Sequence, residues 1–201
     1  MGIKYIEPLR VGELLATVAN RKGPVGQRDT CIVRLLWESG LRINECLSLT
    51  PADINLETQE IIIRNGKGGK SRTVPWRNER TTDLLRVWLE VRPDSEFIFP
   101  VIRSPRKRKG ENKGKSTKGE KLDPKSFRAS FKRYVKQAGL PNWLSPHNMR
   151  HSYAIYMLDQ GVPLPALQRL LGHSRLDTTG VYLEIRDKDA IEKAKMVKDD
   201  W

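Results

Sequence analysis

Apolar residues recur at helical intervals along most of the chain. In "PLRVGELLATVAN" they predict a helix from Pro8 to about Asn20, which "RKGPVGQ" breaks with glycine and proline. A second helix is predicted from about Arg28 to Ser39, with Gly40 as its carboxy-terminal cap, and a short third one around "RINECLSL". The one convincing β pattern is "QEIIIRNGKGGKSRTVPW", two short runs flanking a glycine-rich Asn-Gly turn, hence a hairpin that presents Lys67 and Lys70. "NERTTDLLRVWLEVR" spaces Leu84, Leu85, Trp88 and Val91 as an amphipathic helix, and "FIFP" reads as a brief buried extended piece. "DPKSFRASFKRYVKQAG" turns Phe127, Phe131, Tyr134 and Val135 inward, with Asp123 and Pro124 as cap and first turn. Helices follow from about His147 to Gln160, stopping at Gly161, from Pro163 to Pro165 up to Gly172, and from a Ser174 cap supported by Asp177. In "DAIEKAKMVKDDW", Ala190, Ile191, Ala194 and Val197 suit a terminal helix laid on a groove. The expected fold is mainly α with a small antiparallel β-hairpin or sheet, an α+β protein of one domain over 1–201.

One stretch departs from this pattern. Residues 103–121 hold nine Lys or Arg against two Glu, a local charge of 9 − 2 = +7, and no apolar residue. Such a run cannot bury itself, so a flexible basic loop is expected over 103–122. The chain as a whole carries a formal charge of +13 over 201 residues. That favours a polyanionic partner, nucleic acid ahead of an anionic membrane, because lysine and arginine release condensed counterions on meeting phosphates. No run of about 18 apolar residues exists to span a bilayer, and "MGIKYIEPLR" lacks the apolar core of a secretion signal, so a cytoplasmic, nucleoid-associated protein is expected. Cys31 and Cys46 sit in apolar helical patterns and read as buried reduced thiols.

Several phosphate chemistries fail on spacing. "GKGGKS" imitates the end of a nucleotide-binding loop, but the glycine required five positions before Gly69 is Arg64, and before Gly114 it is Lys109. A strand follows the turn where that loop needs a helix. Three histidines without a carboxylate cluster make no zinc site, and the acids of a two-metal nuclease are lacking, so no metal or other cofactor is expected. Metal-free chemistry on a phosphodiester remains. It needs cations on the nonbridging oxygens, an acid for the leaving oxygen and an in-line nucleophile. Candidates are Arg42 after Gly40, Arg150 three residues after His147, Lys67 on the hairpin tip, and His173 with Tyr182 nine residues later.

At these residues the sequence resembles the catalytic domain of the tyrosine recombinases, the phage integrase family. "SGLRINECLSL" resembles the first-arginine block, with Glu45 three after Arg42. "NGKGGKSRTVP" resembles the lysine hairpin, "SPHNMRHSYA" the His-x-x-Arg block, and "LLGHSRLDTTGVYLE" the final His-to-Tyr block. The resemblance covers about residues 8–185 and implies the fold of that catalytic domain. It implies that Arg42 and Arg150 clamp the scissile phosphate and that Lys67 is the general acid on the departing 5′ oxygen. His147 and His173 would hydrogen-bond the phosphate, with His147 also carrying a proton, and Tyr182 would be the nucleophile that links to the DNA 3′ phosphate. Guanidinium suits a bidentate phosphate contact, and a phenol with a pKa of about 10 needs nearby positive charge or a base. Glu45 and His151 are expected in support, His151 bracing its helix or Glu45. Tyr153 and Tyr156 compete with Tyr182 only weakly, since both lie on the His-x-x-Arg helix.

DNA contacts are expected from Lys70 and Arg72 on the hairpin and from Arg106, Lys107, Arg108, Lys109, Lys113 and Lys115 in the basic loop. The implied partners are double-stranded DNA, further copies of the chain in a tetramer on paired sites, and accessory DNA-bending proteins, with no membrane. Most family members carry an amino-terminal helical domain that is not expected here. The chain is either a short recombinase similar to the fimbrial phase-variation invertases or a fragment of something longer. Two other functions stay open: a DNA-binding regulator with an unused site, and a type IB-like DNA relaxing enzyme. Residues 187–201 are expected to dock as a terminal helix or tail, on their own domain or a neighbour's.

Overall fold

The computed structural model describes residues 3–64, 71–102, 119–173, 179–183 and 187. Among the described residues, seven bounded α-helices and a three-stranded antiparallel sheet follow in the order α1 (Pro8–Ala19), α2 (Pro24–Ser39), α3 (Ile43–Leu47), β1 (Ile54–Asn55), β2 (Glu60–Ile63), β3 (Arg72–Pro75), α4 (Glu79–Val91), α5 (Pro124–Gln137), α6 (Pro146–Asp159) and α7 (Leu164–Leu171). A single 3₁₀ turn, Pro51–Asp53, precedes β1. Residues 179–183 are helical as well.

Helix α2 is the axis of the fold. Its run from Cys31 to Leu36 is apolar on every side except Arg34, and Cys31, Ile32, Val33, Leu35 and Leu36 are all buried. A helix that is apolar all round must be surrounded; α1, α4 and α6 pack on it. The two cysteines are free and buried. Even its charged first turns are internal. Asp29 is fully buried, and Arg28 donates to its carboxylate at 2.7 Å while the Tyr134 hydroxyl donates at 2.6 Å. This joins α2 to α5, and Arg28 also donates to the Pro100 carbonyl at 2.9 Å.

Helix α5 behaves as its spacing predicts, with Phe127, Phe131, Tyr134 and Val135 all buried. Asp123 caps α5 by accepting from the Ser126 N–H at 2.9 Å, and Pro124 stands in the first turn. Four expectations need correction. Helix α2 starts at Pro24, four residues before Arg28, because proline is suited to the first helical position, where its missing N–H costs nothing. Val91 ends α4 and is exposed, although Leu85 and Trp88 are buried. A third strand, β1, pairs Ile54 with Ile61 and Asn55 with Glu60; two residues are too short to leave a periodic signal. Finally, the expected loop over 103–122 is not loose at its far end. Lys121 bridges to Pro100, the Val101 N–H donates to Glu120 at 2.8 Å, and Leu122 is buried. The "FIFP" piece thus gains an edge, and the Trp88 indole donates to the Ile98 carbonyl at 2.9 Å. The hairpin tip with Lys67 and Lys70, the basic residues Arg106, Lys107, Arg108, Lys109, Lys113 and Lys115, the Ser174 and Asp177 cap, and the terminal helix lie outside the described residues.

Gly40, the carboxy-terminal cap of α2, fixes how that helix hands over to the Arg42 segment. Its φ is 61°, in the left-handed region, and a β-carbon there would come within 2.3 Å of the ring of Tyr153, which is completely buried. Gly40→Ala therefore combines a left-handed penalty with overpacking against a ring that has nowhere to go. A loss of about 3 kcal/mol is expected in chemical denaturation, and an unchanged midpoint would contradict this packing.

Candidate active site

Four chain segments deliver the site. The turn after Gly40 supplies Arg42 at the start of α3, strand β3 supplies Arg72, the first two turns of α6 supply His147, Arg150 and His151, and the chain after α7 supplies His173 and Tyr182.

Arg150 is only 2% exposed. Its guanidinium donates to the Gly40 carbonyl at 2.8 Å and to the Leu171 carbonyl at 2.5 Å, the carboxy-terminal ends of α2 and α7. Carbonyls at a helix carboxy terminus have no intrahelical partner and carry the negative end of the helix dipole, so a cation satisfies them. Burial and the neighbouring Arg42 pull the Arg150 pKa down to about 10, opposed by Glu45 and Tyr182, and the group remains charged at neutral pH.

Arg42 stands beside it with about a third of its side chain exposed. It donates to Glu45 at 2.9 Å and to the Gly172 carbonyl at 3.4 Å. Glu45 is the anchor of this corner. Its carboxylate accepts from the Arg42 backbone N–H at 2.8 Å and takes both amino groups of Arg72 at 3.0 and 2.8 Å. Arg72 also donates to the Leu170 carbonyl at 2.9 Å. The turn at Gly172, φ 64°, lies so close that a β-carbon would come within 3.0 Å of the Arg72 guanidinium. Arg72 was expected on the DNA surface; the structure turns it inward to hold Glu45. The signal for this was available: Arg72 and Val74 share a face of β3, and Val74 is buried.

Burial tends to raise the Glu45 pKa, but the hydrogen bonds from Arg72 and Arg42 outweigh it and hold the carboxyl below its ordinary value. Because the folded value is depressed, this stabilisation is fully present above the unfolded pKa of about 4.3 and is lost as the pH falls through the folded value. Glu45→Gln is expected to cost about 2 kcal/mol at pH 7. In urea melts the gap to the unsubstituted protein should narrow toward pH 3; a gap that stays as wide refutes the ionic account.

The histidines and the phenol form a stack of rings. His147 reaches solvent, and its ring meets that of His151 edge-on at 4.3 Å. His151 Nδ1 lies 2.8 Å from the Tyr182 hydroxyl. On the far side the His173 ring lies parallel to that of Tyr182 with centroids 6.5 Å apart, and His173 Nδ1 is 2.9 Å from the Thr179 hydroxyl. Tyr182 is 2% exposed. His151 was expected to brace its helix or Glu45; it touches the phenol instead, a contact that sequence spacing could not foretell. Thr179, the hydroxyl partner of His173, was also missed.

Charge and burial set the protonation of this stack. Burial, His147 and Arg150 pull His151 down to about 4. Burial, with Arg150, Arg42, Arg72 and His151, does the same for His173. Burial and the same two arginines, Arg150 and Arg42, lower the His147 pKa. Burial raises the Tyr182 phenol, and Arg150 and Arg42 oppose it. The resting site therefore holds fixed positive charge, neutral imidazoles and a neutral phenol. In front of the arginines opens a cleft of about 310 Å³, lined by Leu41, Arg42, Ile43, Asn44, Arg128, Ser145, Pro146, His147 and Arg150. Arg42, His147 and Arg150 all line this cleft, and Tyr182 lies behind the His147 and His151 rings.

A model of the phage integrase family matches residues 4–189. The chain belongs to the phage integrase family. Tyrosine recombinase XerA of Pyrococcus horikoshii is 38% identical over 175 residues, 85% of this chain and 56% of that protein. Tyrosine recombinase XerD of Pseudomonas putida is 34% identical over 167 residues, 80% of this chain and 51% of that protein. The chain thus spans about half the length of the curated relatives it matches. Among solved structures, XerA recombinase superposes with a TM-score of 0.77 at 23% identity, covering 100% of this chain and 67% of that one. The Tn1549 transposon integrase in complex with circular intermediate DNA gives 0.69 at 22% identity, covering 90% and 63%. The catalytic domain of bacteriophage HP1 integrase gives 0.63 at 23% identity, covering 97% and 95%. These likenesses establish the fold as that of an integrase catalytic domain, mainly helical with a small antiparallel sheet.

Proposed function

We propose that the chain is the catalytic part of a site-specific DNA recombinase that breaks and rejoins strands through a 3′-phosphotyrosine on Tyr182, with neither metal nor ATP. The observation that carries this reading is the convergence of Arg42 and Arg150 on one cleft with the Tyr182 hydroxyl held two rings behind it. In this reading the two guanidiniums hold the nonbridging oxygens of the scissile phosphate, and His147 and His173 hydrogen-bond it. The tyrosine segment advances, Tyr182 Oη attacks phosphorus, and the 5′ oxygen leaves with a proton from Lys67. The covalent bond retains the phosphodiester's free energy, so the freed 5′ hydroxyl of another strand reverses the step. Glu45 and Arg72 position Arg42 rather than touch DNA. Double-stranded DNA is the substrate, held further by Lys70 and the basic segment, and four copies act on paired sites. The family membership and a related integrase solved with circular intermediate DNA support that substrate.

The test is a nicked duplex drawn from DNA flanking the gene, incubated with the protein in a chelator. A covalent protein–DNA adduct that maps to the Tyr182 peptide, and exchanged strands when two sites are supplied, are the expected results. Cleavage that demands a divalent ion, or cleavage without an adduct, would refute the assignment.

A further inference from the structure

On the reading of Tyr182 as nucleophile, we infer that His151 is a further catalytic residue, the base that takes the phenolic proton through Nδ1. The geometry is direct. Nδ1 stands 2.8 Å from the hydroxyl, within the range for proton transfer, whereas His147 meets His151 and lines the cleft but makes no hydrogen bond to Tyr182 among the described residues. Tyr182 is sealed from solvent, so water cannot take its proton where it rests. The groups around His151 are His147 and Arg150 on its own helix, Tyr182 from the 179–183 segment and His173 beyond α7. Burial with His147 and Arg150 keeps the ring neutral, so Nδ1 is an acceptor when the proton sits on Nε2. A phosphate seated between Arg42 and Arg150 offsets the positive field that disfavours an imidazolium, and His151 becomes a stronger base when substrate arrives.

The step balances as follows. The Tyr182 O–H bond breaks as an N–H bond forms on His151; the P–Oη bond forms as the P–O5′ bond breaks, and the 5′ oxygen takes a separate proton from the leaving-group acid. On resealing the imidazolium returns its proton to Tyr182.

Two variants and one altered substrate test this. His151→Asn keeps an oxygen acceptor near the Nδ1 position but cannot take a proton, and His151→Ala removes both; circular dichroism confirms that each is folded. The substrate carries sulfur in place of the bridging 5′ oxygen at the scissile phosphate, so its leaving thiolate needs no acid. Both variants are expected to lose about 100-fold or more in cleavage rate on the oxygen and the sulfur substrate alike. Their residual rate on sulfur should climb about tenfold per pH unit between pH 6 and 8, since only phenol already ionised can attack, while the unsubstituted rate stays flat. Three results overturn the inference: H151N cleaving like the unsubstituted protein, sulfur restoring both variants, or a pH slope unchanged by the substitutions. If the unsubstituted protein forms no Tyr182 adduct, the recombinase reading falls and takes this one with it; an adduct with normal H151N kinetics sinks the His151 role alone.

Discussion

Tyr182→Phe is expected to form no covalent DNA adduct at all while folding and binding DNA as before. The substitution deletes one oxygen from a ring that is otherwise kept, so the parallel packing on His173 survives. What is lost is the hydrogen bond to His151, which leaves a half-buried acceptor and costs about 1 kcal/mol. The arginine clamp is untouched, because neither Arg42 nor Arg150 makes a hydrogen bond to Tyr182. Gel-shift affinity should therefore stay within about twofold, while the adduct on a nicked duplex falls below detection. A surviving adduct would point to Tyr153 or Tyr156, but the structure commits both to packing. Tyr153 lies under Gly40, Tyr156 meets Trp37 at 5.3 Å, and Arg77 stacks over both rings.

Arg150→Lys is the second large effect. An ammonium can replace the charge but cannot reach two carbonyls and a phosphate with one planar fork. Cleavage should drop by roughly 1,000-fold, the scale seen when one preorganised donor to a developing charge is removed. Arg150→Ala should go further and also cost about 3 kcal/mol, since the Gly40 and Leu171 carbonyls are left buried without their donor. A second readout separates electrostatics from collapse. Arg150 is the largest charge pulling down the pKa of His173, and it also lowers those of His147 and His151. In Arg150→Ala all three should titrate at higher pH, the His173 value rising from about 4; NMR titration curves that do not move would refute this account of the site.

The helices were legible because their signals are local. The 3.6-residue spacing of Phe127, Phe131, Tyr134 and Val135, the Asp123 cap and the glycine stops at Gly40 and Gly172 each act within a few residues, and each stands where it was read. Signals failed where they were short or ambiguous. Two residues of β1 carry no period, and Gly23-Pro24 serves equally as a break or as the opening of α2. Lys121 belongs by composition to the basic run and Leu122 borders it, yet backbone pairing with Phe99 and Pro100 holds them.

The site divides along the same line. The sequence by itself determined which residue types stand in which order: Arg42 with Glu45 one turn on, His147 with Arg150, then His173 and Tyr182. Within one helix turn a spacing of three or four dictates a shared face, so the His147, Arg150 and His151 cluster followed from chain geometry. Only the tertiary structure decided who holds whom between residues that lie 21 to 110 positions apart in the chain. It gave Arg150 to two helix ends, Arg72 to Glu45 instead of the surface, and Tyr182 to His151. Those pairings depend on how α2, α6 and α7 pack, and packing responds to the summed burial of the whole core, which no short stretch of sequence encodes.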